Sequence, residues 1–289
     1  FSGVLAGNVV EGMRDLERLR DYEECGLAAL LALVYAHKLA KFVDQDAVDE
    51  YEAQYSIRET TSTPHARLLC AQFHWLNGDP DQGRMVVDDL LERERDLSAP
   101  FQASCWTLRG WMELTSKKTQ QQRKAIGSLD KSLQLDDRPR HQLLTLFGKA
   151  MALSTGRKPD FEEAMNLLIQ IAGHFPRFEP AHTARAILCF RQGNWSLAMD
   201  MISSVLSLDP QSIEASRIRL LYYLTNSSET GRTTVAVEDL KKSIETREPK
   251  NAVLFHRVGQ LVGRLADSNR EILIIALQLV ERAHALQPS

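Results

Sequence analysis

Apolar residues recur every three to four positions in segments of 12 to 18 residues, and proline and glycine cluster between the segments. Leu27, Leu30, Leu31, Val34 and Tyr35 form one such stripe; Leu68, Leu69, Gln72, Phe73 and Leu76 form another. Side chains at that spacing share one face of an α-helix, so each segment is expected to be an amphipathic helix. A half-buried strand needs β-branched and aromatic residues alternating with polar ones between turn signals. No run of five or more positions does this, and no sheet is predicted.

The helices repeat in pairs. Prolines that close a pair stand at Pro176, Pro210, Pro249 and Pro288, and the turn inside a pair is followed by a small residue at Gly83, Ala125, Ala164, Ala198, Ala236 and Ala276. A unit of 34 residues with occasional insertions, placed around Ser116 to Gln122 and Asn226 to Thr234, accounts for both series. Each small residue would let two helices approach closely. Larger apolar residues about four and seven positions later, such as Ile202 and Val205 after Ala198, would fill the gap to the next pair. In the best copy, 179–212, Gly193 can take the positive φ that ends a helix, Asn194 can cap the next helix and Trp195 can plug the hairpin. Gly78-Asp79-Pro80-Asp81-Gln82-Gly83 is a second copy, with Gly83 in place of alanine. The pattern resembles the tetratricopeptide repeat. It implies an all-α solenoid, a right-handed superhelix of antiparallel helix pairs, with residues 1–289 forming a single array of about eight pairs. The first pair is poorly defined before Tyr22. Ile272, Leu273, Ile274, Ile275, Leu277, Leu279 and Val280 leave little polar stripe on the last helix, so a further repeat is expected after Ser289. A start at Phe1 rather than Met reads as a piece of a longer chain.

Composition narrows the function. A formal net charge of -3 gives no global field toward nucleic acid or an anionic membrane, and neither is expected as a partner. The longest uncharged apolar run, Cys25 to Ala36, is 12 residues, against about 20 for a membrane span, so no membrane insertion is expected. Cys25, Cys70, Cys105 and Cys189 lie far apart inside helical patterns and read as reduced, buried, cytoplasmic residues. No zinc-hydrolase, phosphate-loop or dinucleotide motif occurs. Cys70 and His74, with His65 nearby, could offer metal ligands but fall short of a tetrahedral set and sit on an apolar stripe. Ser128-Leu129-Asp130-Lys131 matches Ser-x-x-Lys without its companion motifs. The sequons at Asn194 and Asn226 read as turns. No catalytic, cofactor-binding or metal site is therefore expected, and the chain reads as non-enzymatic, with no cofactor.

Charge varies more locally than globally. Asp79 to Asp96 carries seven acidic residues and three arginines, whereas Lys117 to Lys124 carries four basic residues and no acid. Each could meet a partner or be a solvated face. In tetratricopeptide arrays the first helix of each pair lines the concave surface, and alignment on the closing prolines puts Thr183, Arg191, Arg217, His256, Gln260 and Arg264 there as candidate contacts. The carboxylate clamp for chaperone tails needs Lys-x-x-x-Asn and Lys-x-x-x-Arg, and neither spacing occurs.

Five stretches carry a narrower likeness: Leu30 to Lys38, His174 to Ala181, Glu214 to Tyr223, Glu248 to Phe255 and Leu279 to Pro288. In this order and spacing they resemble the N-terminal part of the tetratricopeptide repeat protein 21 family, the all-repeat subunit of intraflagellar transport complex A. The resemblance spans about Cys25 to Ser289. It implies a non-catalytic scaffold at the ciliary base, along the axoneme and in the cytoplasm, serving retrograde transport and import of membrane cargo. Its implied partners are the propeller- and repeat-bearing subunits of that complex and ciliary membrane cargo or its adaptors. The competing readings are a generic tetratricopeptide adaptor with a peptide in its concave groove, and an enzyme whose repeats form only a substrate-binding arm.

Overall fold

The computed structural model describes residues 9–40, 43–93, 97–155, 158–225, 230–266 and 269–287. Its elements are α1 (Val9–Leu19), α2 (Gly26–Leu39), α3 (Gln45–Glu59), α4 (Pro64–Leu76), α5 (Pro80–Arg93), α6 (Ala99–Thr115), the single turn α7 (Thr119–Gln122), α8 (Ala125–Leu135) and α9 (Pro139–Thr155). They continue with α10 (Phe161–His174), α11 (Glu179–Arg191), α12 (Trp195–Leu208), α13 (Ile213–Thr225), α14 (Thr230–Arg247), α15 (Ala252–Leu265) and α16 (Arg270–Leu286). No strand occurs among the described residues. The fold is an all-α tetratricopeptide-repeat solenoid.

The chain divides into two compact units, Phe1–Pro159 and Asp160–Ser289. In the first, α2 pairs with α3, α4 with α5, and α6 with α8; α1 lies on α2, and α9 lies on α6 and α8. In the second, α11 pairs with α12, α13 with α14 and α15 with α16, and α10 lies on α11. The same hairpin builds both units.

Two hairpin turns show how sequence becomes backbone. Gly78 and Gly193 have φ of 87° and 78°, a region costly for residues with a Cβ. The reversed chain lets the amides of Asp79 and Asn194 donate to the carbonyls of His74 and Cys189, both at 2.9 Å, which satisfies two otherwise orphaned helix-end carbonyls. Asp79 and Asn194 then accept, through side-chain oxygens, from the amides of Gln82 at 3.1 Å and Leu197 at 3.4 Å. Trp195, 40% exposed, packs edge-on against Phe190 at 4.2 Å, closing that end from the side.

The small residues that follow the turns are all inside. Ala125, Ala164 and Ala198 are fully buried, and Gly83, Ala236 and Ala276 are buried too. At Gly83 the reason for glycine is direct: a Cβ there would lie 2.6 Å from the Ala71 carbonyl oxygen of α4 and 2.7 Å from Met112 Cε of α6. Ile202, Val205, Leu168 and Ile171 are buried at the spacing expected from the repeat, each stabilising by about 1.5–3 kcal/mol when taken fully from water.

Three expectations need correction, and that for α16 gains detail. On α4 the inward residues are Ala66, Cys70, Ala71 and His74, whereas Leu69 is 40% and Leu76 69% exposed. The helix crosses its neighbours closely, so small side chains face inward. Around Ser116 the insertion is more than a loop: Ser116 is buried, its carbonyl accepts from Gln122 Nε2 at 2.8 Å, and the mostly exposed residues that follow form the turn α7. The expected insertion at Asn226 to Thr234 extends too far, since Thr230 to Thr234 already belong to α14 and Thr233 is buried; Asn226 to Glu229 lie outside the described residues, as does Pro288. On α16, Ile272, Ile275, Ala276, Leu279 and Ala283 are buried, while Leu273, Ile274 and Leu277 are 39%, 47% and 57% exposed.

Candidate functional site

The six candidate contacts all fall on the first helices of pairs in the second unit. His256, Gln260 and Arg264 are exposed and, four residues apart, share one face of α15. Arg191 is exposed at the end of α11, and Arg217 is exposed on α13, where it pairs with Glu214 of its own helix. Thr183 does not belong with them. It is 5% exposed on the inner face of α11, because its position coincides with the close-packed interior of the hairpin, so it offers no surface to a partner.

The residues that could have carried chemistry are engaged otherwise. Cys70 is fully buried, the Tyr55 hydroxyl lies against its thiol, and burial pushes that thiol up to about 12. His74 is buried beside the Tyr35 ring, and burial lowers its affinity for a proton. His65 instead stacks on Phe101 at 4.5 Å, away from any ligand role with the other two. Among the described residues no group of three or more His, Cys, Asp and Glu side chains is arranged to hold a metal ion. Ser128 Oγ donates to Glu113 Oε2 at 2.7 Å in the interior, while Lys131 Nζ lies 4.3 Å above the Trp106 ring. The hydroxyl and the amine thus serve different neighbours, and no nucleophile–base pair forms. Asn194, the first sequon, is occupied as a helix cap.

The local charge asymmetry has a structural resolution. Three acidic residues of α5 meet cations: Asp81 pairs with Lys118 of the basic turn at 2.6 Å, Asp88 with Arg84 of its own helix and Arg109 of α6 both at 3.1 Å, and Asp89 with Arg67 of α4. The Lys118 ammonium holds the Asp81 carboxyl below its ordinary range. Lys117, Arg123 and Lys124 of the basic turn are exposed and have no carboxylate partner among the described residues. Asp81, Asp88 and Asp89 are compensated; the basic turn keeps excess charge.

Beside this turn lies a groove of about 700 Å³ between α6, α7, the start of α8 and α9. Trp111, Leu114, Ile126, Phe147 and Met151 give it an apolar wall, and Arg123 stands at its edge. Trp111 belongs to a run of rings, 6.1 Å from Trp75 and 6.0 Å from Phe147. Indole Nε1 of Trp75 donates to Thr115 Oγ1 at 2.8 Å, and that of Trp111 to the Leu144 carbonyl at 3.0 Å, so both rings are oriented by polar contacts. Sequence reasoning missed this groove. The available signal was Trp75, Trp111 and Phe147, each 36 residues after the last, one ring per repeat.

Comparison with known proteins identifies the fold's lineage. Residues 1–199 match the model described as the tetratricopeptide repeat protein 21 N-terminal ARM repeat, and residues 235–289 match its second ARM domain. The chain belongs to the tetratricopeptide repeat protein 21 family. Within that family it is 30% identical over 292 residues to tetratricopeptide repeat protein 21A of Homo sapiens, a match covering 98% of this chain and 21% of the relative. It is 25% identical to human tetratricopeptide repeat protein 21B over 288 residues, covering 100% of this chain and 21% of that protein. The Caenorhabditis elegans homolog is 23% identical over 281 residues, covering 96% and 20%. The chain therefore spans about a fifth of the length of these family members. Among solved structures, a tetratricopeptide repeat protein from Parabacteroides merdae superposes with a TM-score of 0.57 at 17% identity, covering 98% of this chain and 94% of that one. The type IV pilus biogenesis factor PilW gives 0.54 at 15%, covering 77% and 90%. At such identity the likeness concerns fold alone.

Proposed function

We propose that this chain is a non-catalytic scaffold segment of intraflagellar transport complex A, supporting retrograde transport and ciliary cargo import through protein–protein contacts. The observation that carries this reading is the match to the tetratricopeptide repeat protein 21 models over residues 1–199 and 235–289. The architecture is compatible with it, since helical-repeat units present long surfaces on which many modest contacts can sum to stable assembly. Partners would be propeller- and repeat-bearing subunits of the complex, with ciliary membrane cargo or its adaptors reached through them. The protein would concentrate at the ciliary base and along the axoneme, with a cytoplasmic pool.

The test is a tagged full-length protein in ciliated cells. Co-purification with complex A subunits, and accumulation of transport material at ciliary tips on its loss, are the expected results. A diffuse signal together with recovery of no transport subunit would overturn the reading and leave a peptide-binding adaptor as the better account.

A further inference from the structure

The groove between α6 and α9 and the basic turn beside it form one continuous surface, because Arg123 lines both. On one side it edges the apolar wall of Trp111, Ile126, Phe147 and Met151. On the other it lines a recess of about 330 Å³ with Trp106, Arg109, Lys124, Lys131 and the Glu113 that Arg109 and Ser128 engage. We propose that this surface docks an extended segment of a partner protein that carries one large apolar side chain flanked by carboxylates.

The apolar half selects the anchor. A concave wall of aromatic and aliphatic side chains removes a large side chain from water, and buried anchors of this kind carry most of an interface's energy. Trp111 is held by its indole hydrogen bond to the Leu144 carbonyl and lies 6.0 Å from Phe147, so this part of the wall is oriented before binding. The charged half selects what flanks the anchor. Lys117, Arg123 and Lys124 are exposed without a carboxylate partner among the described residues, and Lys131 lies over the Trp106 face. The acids that could have neutralised this surface are committed elsewhere. Asp81 is held by Lys118, Asp88 by Arg84 and Arg109, and Glu113, 1% exposed, by Arg109 and Ser128. Only a partner's carboxylates complete the surface, and a Lys- or Arg-rich segment would be repelled. A phosphate-bearing membrane could meet the cations but would leave the groove unfilled, so a peptide fits both halves and a bilayer one.

The inference rests on the first unit alone and is independent of the ciliary reading. It is tested with the purified 289-residue chain and a short fluorescein-labelled peptide bearing a central tryptophan between aspartates, followed by anisotropy. The peptide is expected to bind, more weakly as salt rises. Affinity should drop about tenfold or more when its tryptophan becomes alanine or its aspartates become lysines, and likewise for the Arg123→Glu/Lys124→Glu chain. Both substituted residues are exposed, and circular dichroism will verify the variant's fold. No binding, binding unaffected by these changes, or binding of the chain to phosphatidylserine vesicles but not to the peptide would each overturn the proposal.

Discussion

His74 shows how a residue that looks like chemistry becomes a packing element. It is 8% exposed, its ring meets Tyr35 edge-on at 6.4 Å, and its Nδ1 has no hydrogen-bond partner among the described residues. Burial lowers its pKa from 6.5; Asp79 and Glu59 act the other way and are outweighed. The folded chain therefore binds fewer protons at this site than the unfolded chain does below about pH 6.5. Its contribution to stability is full above that pH and is lost as pH falls through the lowered folded value. His74→Phe, which keeps an aromatic against Tyr35, should flatten the acid side of the stability profile. Between about pH 7.5 and about pH 5, the melting temperature of the parent chain should fall faster than that of the variant. Parallel curves would mean that His74 is not the group responsible. Cys70, one turn away, is the companion case: a thiol pushed up to about 12 stays protonated and unreactive at neutral pH.

Among elements, the joint between the α6/α8 hairpin and α9 holds a chain of hydroxyls in the interior. Thr107 Oγ1 lies 2.8 Å from Ser132 Oγ and 2.7 Å from Thr145 Oγ1, and Ser132 Oγ donates to the Ala103 carbonyl at 2.9 Å. Ser132 and Thr145 are 3% and 1% exposed, so their hydroxyls have no water to fall back on. Thr145→Val keeps the shape but removes one member of the chain, and should cost about 1–3 kcal/mol. The Ser132→Ala/Thr145→Val double variant should cost more than the two single changes added, because each single change leaves Thr107 Oγ1 one hydroxyl partner and the double change removes both. Urea unfolding of the four chains checks this. Strict additivity would show that the hydroxyls act independently. Nothing in the sequence pattern marks these three residues as a set, since they come together only when three helices meet.

At the scale of the molecule, two compact units share one chain. Repeat proteins are held by contacts within a hairpin and with its immediate neighbours, so damage in one unit is expected to stay local. Gly83→Ala drives a methyl group into the Ala71 carbonyl in the first unit, and Ala198→Leu overpacks a fully buried site in the second. Each should cost about 1–3 kcal/mol. Hydrogen exchange should show lost protection mainly within 9–155 for Gly83→Ala and within 160–287 for Ala198→Leu. Equal loss across both units from either substitution would show one cooperative body instead.

The sequence by itself determined the helical class, the repeat, the turns and the family. These depend on local physics: a spacing of three to four for a buried stripe, a glycine where φ is positive, an asparagine or aspartate where a helix begins, a small residue where two helices cross. Gly193, Asn194 and Ala198 state all of this within six positions, and the structure places each as the pattern requires. Tertiary structure decided what depends on several helices at once. Which face of α4 turns inward was settled by close neighbours that admit Ala71 but not Leu69. Whether Thr183 faces a groove or a core was settled by the crossing of its hairpin. The apolar groove belongs to α6, α7, α8 and α9 jointly, and the excess charge of the basic turn emerges only after the acids of α5 find their cations. A residue's surroundings in space are set by chain segments tens of positions away, and a reading by local period carries no information about them.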